Sequence, residues 1–169
     1  MNETNNTFIE ITDNLVFLKD GNHFIYSSEK CGSNQLYLRN VNNGSEKMLT
    51  NGGEITAFYG YDVKTKTCFY QVADPTPMER VVYSVDLNQK KKLLSPANGT
   101  ADASFSSDFS YSVITHSTID SPFNCYVQDG KAKKIRVLEN NERVIKNLES
   151  FVVSKPEFFK FTNSEKISL

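Results

Sequence analysis

Apolar residues recur along the chain in short runs that form repeating groups. The clearest of these runs read DGNHFIYSSE from position 20, KTKTCFYQVAD from position 64 and SDFSYSVITHS from position 107. The tyrosines at 26 and 70 are 44 residues apart, and those at 37, 83 and 126 are separated by 46 and 43 residues. A repeat of roughly 45 residues that contains several strand-like runs is typical of a four-stranded propeller blade.

The second run of each group is apolar at consecutive positions, as in Phe24–Tyr26 and Cys68–Tyr70. A strand with one wet face would alternate apolar and polar residues, so these strands are expected to be covered on both faces. Asn-Gly and Asp-Gly pairs, which favour tight turns, separate the runs. The sequence therefore predicts an all-β fold: a partial β-propeller of about three four-stranded antiparallel blades, at about 14–51, 54–96 and 102–138.

The repeat stops near Glu139, and 139–169 is predicted to contain a short helix and a terminal hairpin. Asn140 and Asn141 offer a helix N-cap. The next residues predict an amphipathic helix of about three turns whose apolar stripe is expected to pack into a core rather than to form a groove for a partner; the stripe comprises Val144, Ile145, Leu148, Phe151 and Val152. Two strands are expected around a turn at Asn163–Ser164. Since the sequence ends on an apolar strand, we expect an excised fragment.

Composition and charge narrow the class of protein. The chain has 169 residues, of which 38% are hydrophobic and 12% aromatic, which argues against intrinsic disorder. The 19 Lys and Arg residues nearly balance the 20 Asp and Glu residues, so a nucleic-acid partner is not expected. No apolar run is long enough to span a membrane, and no signal peptide precedes the first predicted strand.

The residues that could carry chemistry are few and scattered. Cys31, Cys68 and Cys125 are far apart and contain no C-x-x-C, and neither His23 nor His116 has a second ligand beside it. We therefore predict no metal site, no cofactor and no disulfide framework. His116 lies between Thr115 and Ser117, but on a strand those neighbours point to the opposite face, so a triad is not expected there.

Charged residues also have structural interpretations. The carboxylates near strand ends are expected to terminate strands or cap turns; they are Glu29, Asp62, Asp74 and Asp108. The lysines at 90–92 and 133–134 lie at the start of the outermost predicted strands. A basic run can bind phosphate or anionic lipid, but here it is expected to discourage edge-to-edge pairing. The glycines of TNGGEIT lack the spacing of a phosphate loop. No catalytic, cofactor-binding or metal-binding residue is assigned.

Several segments resemble the later propeller region of bacterial dipeptidyl peptidase IV proteins, in the prolyl oligopeptidase family. They are ITDNLVFLKDGNHFIYSSEK, ITAFYGYDVKTKTCFYQVADPTPMERVVYSVDL, IRVLENNERV and KPEFFKF. The resemblance covers about Phe8 to Leu169. It implies an eight-bladed propeller joined to an α/β-hydrolase domain that removes Xaa-Pro or Xaa-Ala dipeptides by a Ser-Asp-His mechanism. It also implies a parent protein that is periplasmic, secreted or at the cell surface.

The motifs that carry this chemistry are absent from the sequence. No G-x-S-x-G occurs, and there is no Glu-Glu pair of the kind that binds the substrate amino group in this family. The chain is therefore expected to wall the substrate chamber and dock the hydrolase domain, without catalytic residues. The alternatives are a stand-alone propeller-type binding or scaffold module and, more remotely, a carbohydrate-processing propeller. Its expected partners are peptide substrates through the parent, the remaining blades and the hydrolase domain, and further copies of itself through open blade faces.

Overall fold

The computed structural model describes residues 12–152, 154, 157 and 159–167, which form three four-stranded antiparallel sheets and a short helix. The first sheet contains β1 (Leu15–Phe17), β2 (His23–Ser28), β3 (Gln35–Asn40) and β4 (Glu46–Met48). The second contains β5 (Ile55–Asp62), β6 (Thr67–Val72), β7 (Val81–Asp86) and β8 (Lys91–Leu93). The third contains β9 (Thr100–Phe105), β10 (Tyr111–Thr118), β11 (Ser121–Asp129) and β12 (Lys134–Glu139), and α1 (Glu142–Leu148) follows. Within each sheet the strand order is the chain order, which is a meander.

The sheets pack face to face, and the second sheet divides its side chains between its two neighbours. Cys68 and Tyr70 on β6 pack in one core cluster with Ile25 of the first sheet. Phe69, between them in the sequence, packs in a second cluster with Ile114 of the third sheet. Successive strand residues point to opposite faces. The consecutive apolar residues therefore fill two cores, as the sequence pattern predicted.

The half-buried Gln71 and the buried Gln128 connect the second and third sheets through their amide side chains. The Gln71 amide donates to the Ala101 carbonyl at 2.7 Å, and the Gln128 amide donates to the Leu94 carbonyl at 3.0 Å. Tyr59 on β5 donates its hydroxyl hydrogen bond to the Asp102 carboxylate on β9. These bonds satisfy polar groups that would otherwise be costly at a packed interface.

The turns at one end of the sheets are short and share one design, so we call this end the tight-turn face. In each turn a carboxylate or amide oxygen accepts the backbone N–H two residues further on; the accepting residues are Asp20, Asn40, Asp62, Asp86, Asp108 and Asp129. Such local hydrogen bonds stabilise turns without requiring tertiary contacts.

The opposite end of the sheets carries the remaining connections, and we call it the exit face. It bears the loops that join β2 to β3, β6 to β7 and β10 to β11, together with the two crossovers between sheets. The chain also leaves the third sheet there, after β12, and enters α1.

Helix α1 differs from the prediction in three ways. Asn141, immediately before it, has a left-handed φ of 54° and makes no side-chain cap; instead the Asn140 side chain accepts the Glu142 N–H at 3.3 Å. The helix has seven residues, about two turns rather than three. None of its residues is buried, and its apolar residues Val144, Ile145 and Leu148 are exposed. The predicted packing of this stripe into a core is therefore wrong for the part of the chain that the structure describes.

The turn of the predicted terminal hairpin is present. The Asn163 side chain accepts the N–H groups of Glu165 and Ile167 at 3.0 and 2.9 Å. The two strands expected around it fall partly on residues outside the described part of the chain. Among the described helical residues there is no segment long and apolar enough to cross a bilayer.

Candidate functional site

The loop between β6 and β7 is the longest of the exit-face loops and is held by its own polar groups. The Glu79 carboxylate accepts the Gly99 N–H and the Thr76 hydroxyl, both at 3.0 Å. The Arg80 guanidinium donates to the Pro77 carbonyl at 2.7 Å. These contacts tie the loop to the following crossover and leave Met78 exposed at its tip. The loop thus presents an apolar side chain on an ordered support.

His116 lies at the exit-face end of β10, beside an open cleft of about 340 Å³. The cleft is also lined by Asn124, Tyr126, Lys134, Glu139 and Asn140. Nε2 of His116 donates to the Asn98 carbonyl at 2.7 Å, and Nδ1 lies 3.5 Å from the Asn124 amide nitrogen. The two ring nitrogens of His116 thus have partners from the β8–β9 crossover and from β11.

The second histidine lies at the tight-turn face. Nδ1 of His23 lies 2.7 Å from the Asp20 carboxylate, and Nε2 lies 3.1 Å from the Asn40 amide nitrogen. His23 therefore links two turn-capping residues of the first sheet.

The three cysteines are free and occupy different environments. Cys68 is fully buried, and this burial raises the pKa of its thiol to about 12, so it stays protonated. Cys31 is exposed on the β2–β3 loop, where a hydrogen bond with the Tyr37 hydroxyl lowers its pKa despite partial burial. Cys125 on β11 is half-buried. The structure brings none of them together.

The carboxylates predicted to cap turns do so at two positions. Asp62 accepts the Lys64 N–H at 2.9 Å, and Asp108 accepts the Ser110 N–H at 3.1 Å. Hydrogen bonds from the Ser110 and Ser106 side chains lower the pKa of Asp108 to about 2. Asp74 instead accepts the Tyr83 hydroxyl at 2.9 Å and lies 3.6 Å from the Lys91 ammonium.

A cluster that the sequence did not reveal lies on the outer face of the first sheet. Glu46 accepts hydrogen bonds from the Tyr26 hydroxyl at 2.5 Å, from Arg39 at 2.6 Å and from Lys30. Partial burial opposes ionisation, but these three donors lower the pKa of Glu46 to about 2. The residues of this cluster lie within 20 positions of one another in the chain. The sequence around Glu46 nevertheless does not indicate that it accepts hydrogen bonds from all three donors.

A lysine lies over the tyrosine of the third strand in every sheet. The ammonium-to-ring distances are 3.9 Å for Lys30 and Tyr37, 3.8 Å for Lys91 and Tyr83, and 4.0 Å for Lys134 and Tyr126. Contacts of this kind stabilise a fold by about 0.5–1 kcal/mol at exposed sites. The lysines of the outer strands therefore have specific partners, which the edge-protection interpretation missed.

The exit face carries several exposed apolar side chains. The described part of the chain contains no group of three His, Cys, Asp or Glu residues that could hold a metal ion. What the exit face offers instead is a set of exposed apolar side chains on ordered backbone, namely Met78, Ile119, Phe123 and the stripe of α1. Contiguous exposed apolar surface is a common feature of interaction sites.

Three four-stranded meanders packed face to face, in a repeat of roughly 45 residues, define a section of a β-propeller. The family model for the dipeptidyl peptidase IV (DPP IV) N-terminal region matches residues 1–123, and the chain belongs to this family.

Solved and curated relatives agree with this assignment. The crystal structure of Porphyromonas gingivalis dipeptidyl peptidase 4 matches 92% of this chain at 32% identity, with a TM-score of 0.81. A Bacteroides ovatus protein assigned as a dipeptidyl aminopeptidase IV matches 75% of the chain at 24% identity, with a TM-score of 0.62. An Aspergillus flavus protein named "Probable dipeptidyl peptidase 4" is 24% identical over 142 residues, 82% of this chain.

The chain spans about a fifth of the length of these relatives: 22%, 21% and 18%, respectively. The predicted partial propeller and the predicted family are thereby confirmed, and the chain is a propeller fragment of the dipeptidyl peptidase IV type.

Proposed function

We propose that this chain is the non-catalytic propeller section of a serine exopeptidase that removes Xaa-Pro or Xaa-Ala dipeptides from peptide N-termini. In this proposal the chain walls the substrate chamber and docks the α/β-hydrolase domain, which supplies the Ser-Asp-His residues. Peptide substrates meet the chain only through the parent enzyme, which is periplasmic, secreted or at the cell surface. The family membership supports the proposal.

The observation that carries the docking role is the exposed stripe of α1. The chain leaves the third sheet at the exit face, and α1 is the first element after it. Val144, Ile145 and Leu148 are 40–46% exposed, and no residue of the helix is buried. A two-turn helix with an apolar stripe gains little stability alone. Burial of the stripe against the following domain would stabilise both the helix and the contact between the two domains.

The chamber role is supported by the strands that begin the second and third sheets. In a propeller the first strand of each blade lines the central channel. The exposed positions on β5 and β9 include Thr56, Asp102 and Ser104, which are small or acidic. A wall of this character keeps the channel hydrated and does not trap apolar peptides.

The first experiment is to read the gene on both sides of this segment and express the complete reading frame. A downstream G-x-S-x-G with later Asp and His residues is expected. A complete frame without these motifs would overturn the peptidase proposal and leave the stand-alone binding module.

The docking role is tested in that complete protein by the double substitution Ile145→Glu and Leu148→Glu. Two carboxylates placed in an apolar interface are expected to lower kcat/KM for a Gly-Pro chromogenic substrate by about tenfold or more. Lys146→Glu, on an exposed residue of the same helix, is the matched control and should change kcat/KM by less than about twofold. Equal activity of the double variant and the control would contradict docking through this stripe.

A further inference from the structure

The same dipeptide, Asn-Gly, occurs at three places in the sequence: Asn43–Gly44, Asn51–Gly52 and Asn98–Gly99. Asn-Gly pairs are prone to spontaneous deamidation, because glycine has no Cβ to hinder the approach of its backbone nitrogen to the asparagine side chain. All three asparagines are exposed to water. Any difference in reactivity among them therefore depends on how the fold holds each glycine N–H.

Deamidation at such a pair consumes the glycine N–H. The nitrogen loses its proton to a base from solvent and bonds to Cγ of the asparagine, and the side-chain nitrogen leaves as ammonia. One water molecule then opens the resulting succinimide. Cleavage of the bond between the nitrogen and Cγ leaves aspartate. Cleavage of the bond between the nitrogen and the backbone carbonyl carbon leaves isoaspartate, whose main chain runs through Cγ.

Two of the three glycine N–H groups already donate hydrogen bonds within the fold. The Gly44 N–H donates to the Asn40 carbonyl at 3.0 Å. The Gly99 N–H donates to the Glu79 carboxylate at 3.0 Å. A donated proton is harder to remove, above all beside a carboxylate, because the negative charge opposes ionisation of the nitrogen. These two pairs are therefore protected from the first step of the reaction.

The third pair, Asn51 and Gly52, lies exposed in the crossover from β4 to β5. Within the described part of the chain, neither the Gly52 N–H nor the Asn51 side chain has a hydrogen-bond partner. Gly52 also lies in open space, since a Cβ there would meet no atom within 4 Å. Nothing described in the fold thus opposes attack of the Gly52 nitrogen on Asn51.

One buried side chain fixes the residues on both sides of this pair. Gln35, which is 2% exposed, accepts the Thr50 hydroxyl hydrogen bond at 2.8 Å and donates its amide to the Gly53 carbonyl at 3.0 Å. Gly53 packs so closely that a Cβ there would lie 1.7 Å from the Ala73 carbonyl oxygen. Isoaspartate adds a carbon to the main chain between Thr50 and Gly53. The crossover can accommodate this carbon only by displacing one of these two residues.

We propose that Asn51 is the site at which this chain deamidates, ahead of Asn43 and Asn98, and that the isoaspartate product loosens the packing of the first sheet on the second. Water is the co-reactant and ammonia the by-product. Since the dipeptide is the same at all three sites, the order of reaction is determined by the fold.

The experiment incubates the full chain in mildly alkaline buffer and follows conversion by mass spectrometry. Trypsin places the three asparagines on separate peptides, 40–47, 48–64 and 93–131. Fragment spectra then assign each converted residue. Asn51 should convert at least about fivefold faster than Asn43 or Asn98, because their glycine hydrogen bonds must first be broken.

Two controls separate the fold from the dipeptide. In concentrated urea the three rates should converge. Glu79→Ala removes the acceptor of the Gly99 N–H, so it should accelerate conversion of Asn98 and leave that of Asn51 unchanged. Equal rates in the folded chain, an order that persists in urea, or no effect of Glu79→Ala on Asn98 would each overturn the site assignment.

The consequence for packing is tested on the product. The isoaspartate form is separated by chromatography and compared with Asn51→Asp, which carries the same charge on a main chain of normal length. The isoaspartate form should melt about 2–4 °C below Asn51→Asp. Equal melting temperatures would overturn the proposed loosening of the two sheets.

Discussion

At the scale of single residues, Glu46 shows how one acceptor organises a surface. Three donors converge on its carboxylate from β2, β3 and the loop between them. Its pKa of about 2 lies below the ordinary value of 4.5. A group whose pKa falls on folding stabilises the fold above its unfolded pKa. This contribution is present above about pH 4.5 and is lost as the pH falls toward 2.

Glu46→Gln is therefore expected to destabilise the chain at pH 7 but not at pH 2. After allowance for solvent screening, the free energy of unfolding should fall by about 1 kcal/mol at pH 7, a decrease of about 2–4 °C in Tm. Thermal unfolding followed across pH 2–7 provides the measurement. Glu149→Gln, on an exposed carboxylate after α1, is the control. The lowered pKa of Glu46 would be contradicted if Glu46→Gln reduced the free energy of unfolding by the same amount at every pH.

At the scale of elements, the strands were predictable because each carries its own signal. Consecutive apolar residues such as Cys68–Tyr70 require two covered faces, and the capping residues Asp62 and Asp108 act within their own turns. Helix α1 and the Glu46 cluster were not predictable in the same way. The sequence pattern of an apolar stripe, such as that of Val144 and Ile145, does not show whether the surface that covers it belongs to the same segment or to another domain. Likewise, the register that brings Arg39 opposite Glu46 is set by the whole sheet.

The bulge in β5 allows a test of how closely the Phe109 ring constrains the backbone. Gly60, with φ +136°, lies at a register shift, and a Cβ there would lie 2.9 Å from the Phe109 ring. Gly60→Ala should lower the free energy of unfolding by about 1–3 kcal/mol through backbone strain, with a further loss from displacement of the ring. Gly21→Ala is the matched control, because Gly21 also has a positive φ, +68°, but a Cβ there would contact nothing. This substitution should cost only the strain of placing alanine in the left-handed region, about 1–2 kcal/mol. Urea unfolding that gave equal losses would show that Phe109 does not constrain this bulge.

At the scale of the whole molecule, stability depends on the faces between sheets. Phe69 stacks on Phe109 with ring centroids 4.7 Å apart and also contacts Phe105 at 4.8 Å. It thereby joins the second sheet to the third. Among the described residues, the first and third sheets each share a core cluster with the second sheet.

Phe69→Ala should remove about 3–5 kcal/mol, a large part of a domain's usual margin of about 5–15 kcal/mol. Phe17→Ala, on an exposed ring of β1, should cost much less and is the control. Chemical unfolding of both variants checks this. Similar midpoints for the two would mean that the interface between the second and third sheets contributes little.

The whole chain is also expected to lack peptidase activity. Because His116 is bonded to Asn98 and Asn124 and no G-x-S-x-G is present, it should neither hydrolyse Gly-Pro chromogenic substrates nor react with a fluorophosphonate. Stoichiometric labelling of the purified chain would contradict the division of roles proposed above.

The middle position of the second sheet has a consequence for local motion. Its strands β6 and β7 are covered by core clusters on both sides, whereas among the described residues each outer sheet shares a core with the second sheet alone. In arrays of this kind, opening begins at the ends and reaches the centre last. Backbone amides of Phe69 and Val82 should therefore exchange with deuterium most slowly. Protection from exchange should decline from the second sheet toward the first and the third.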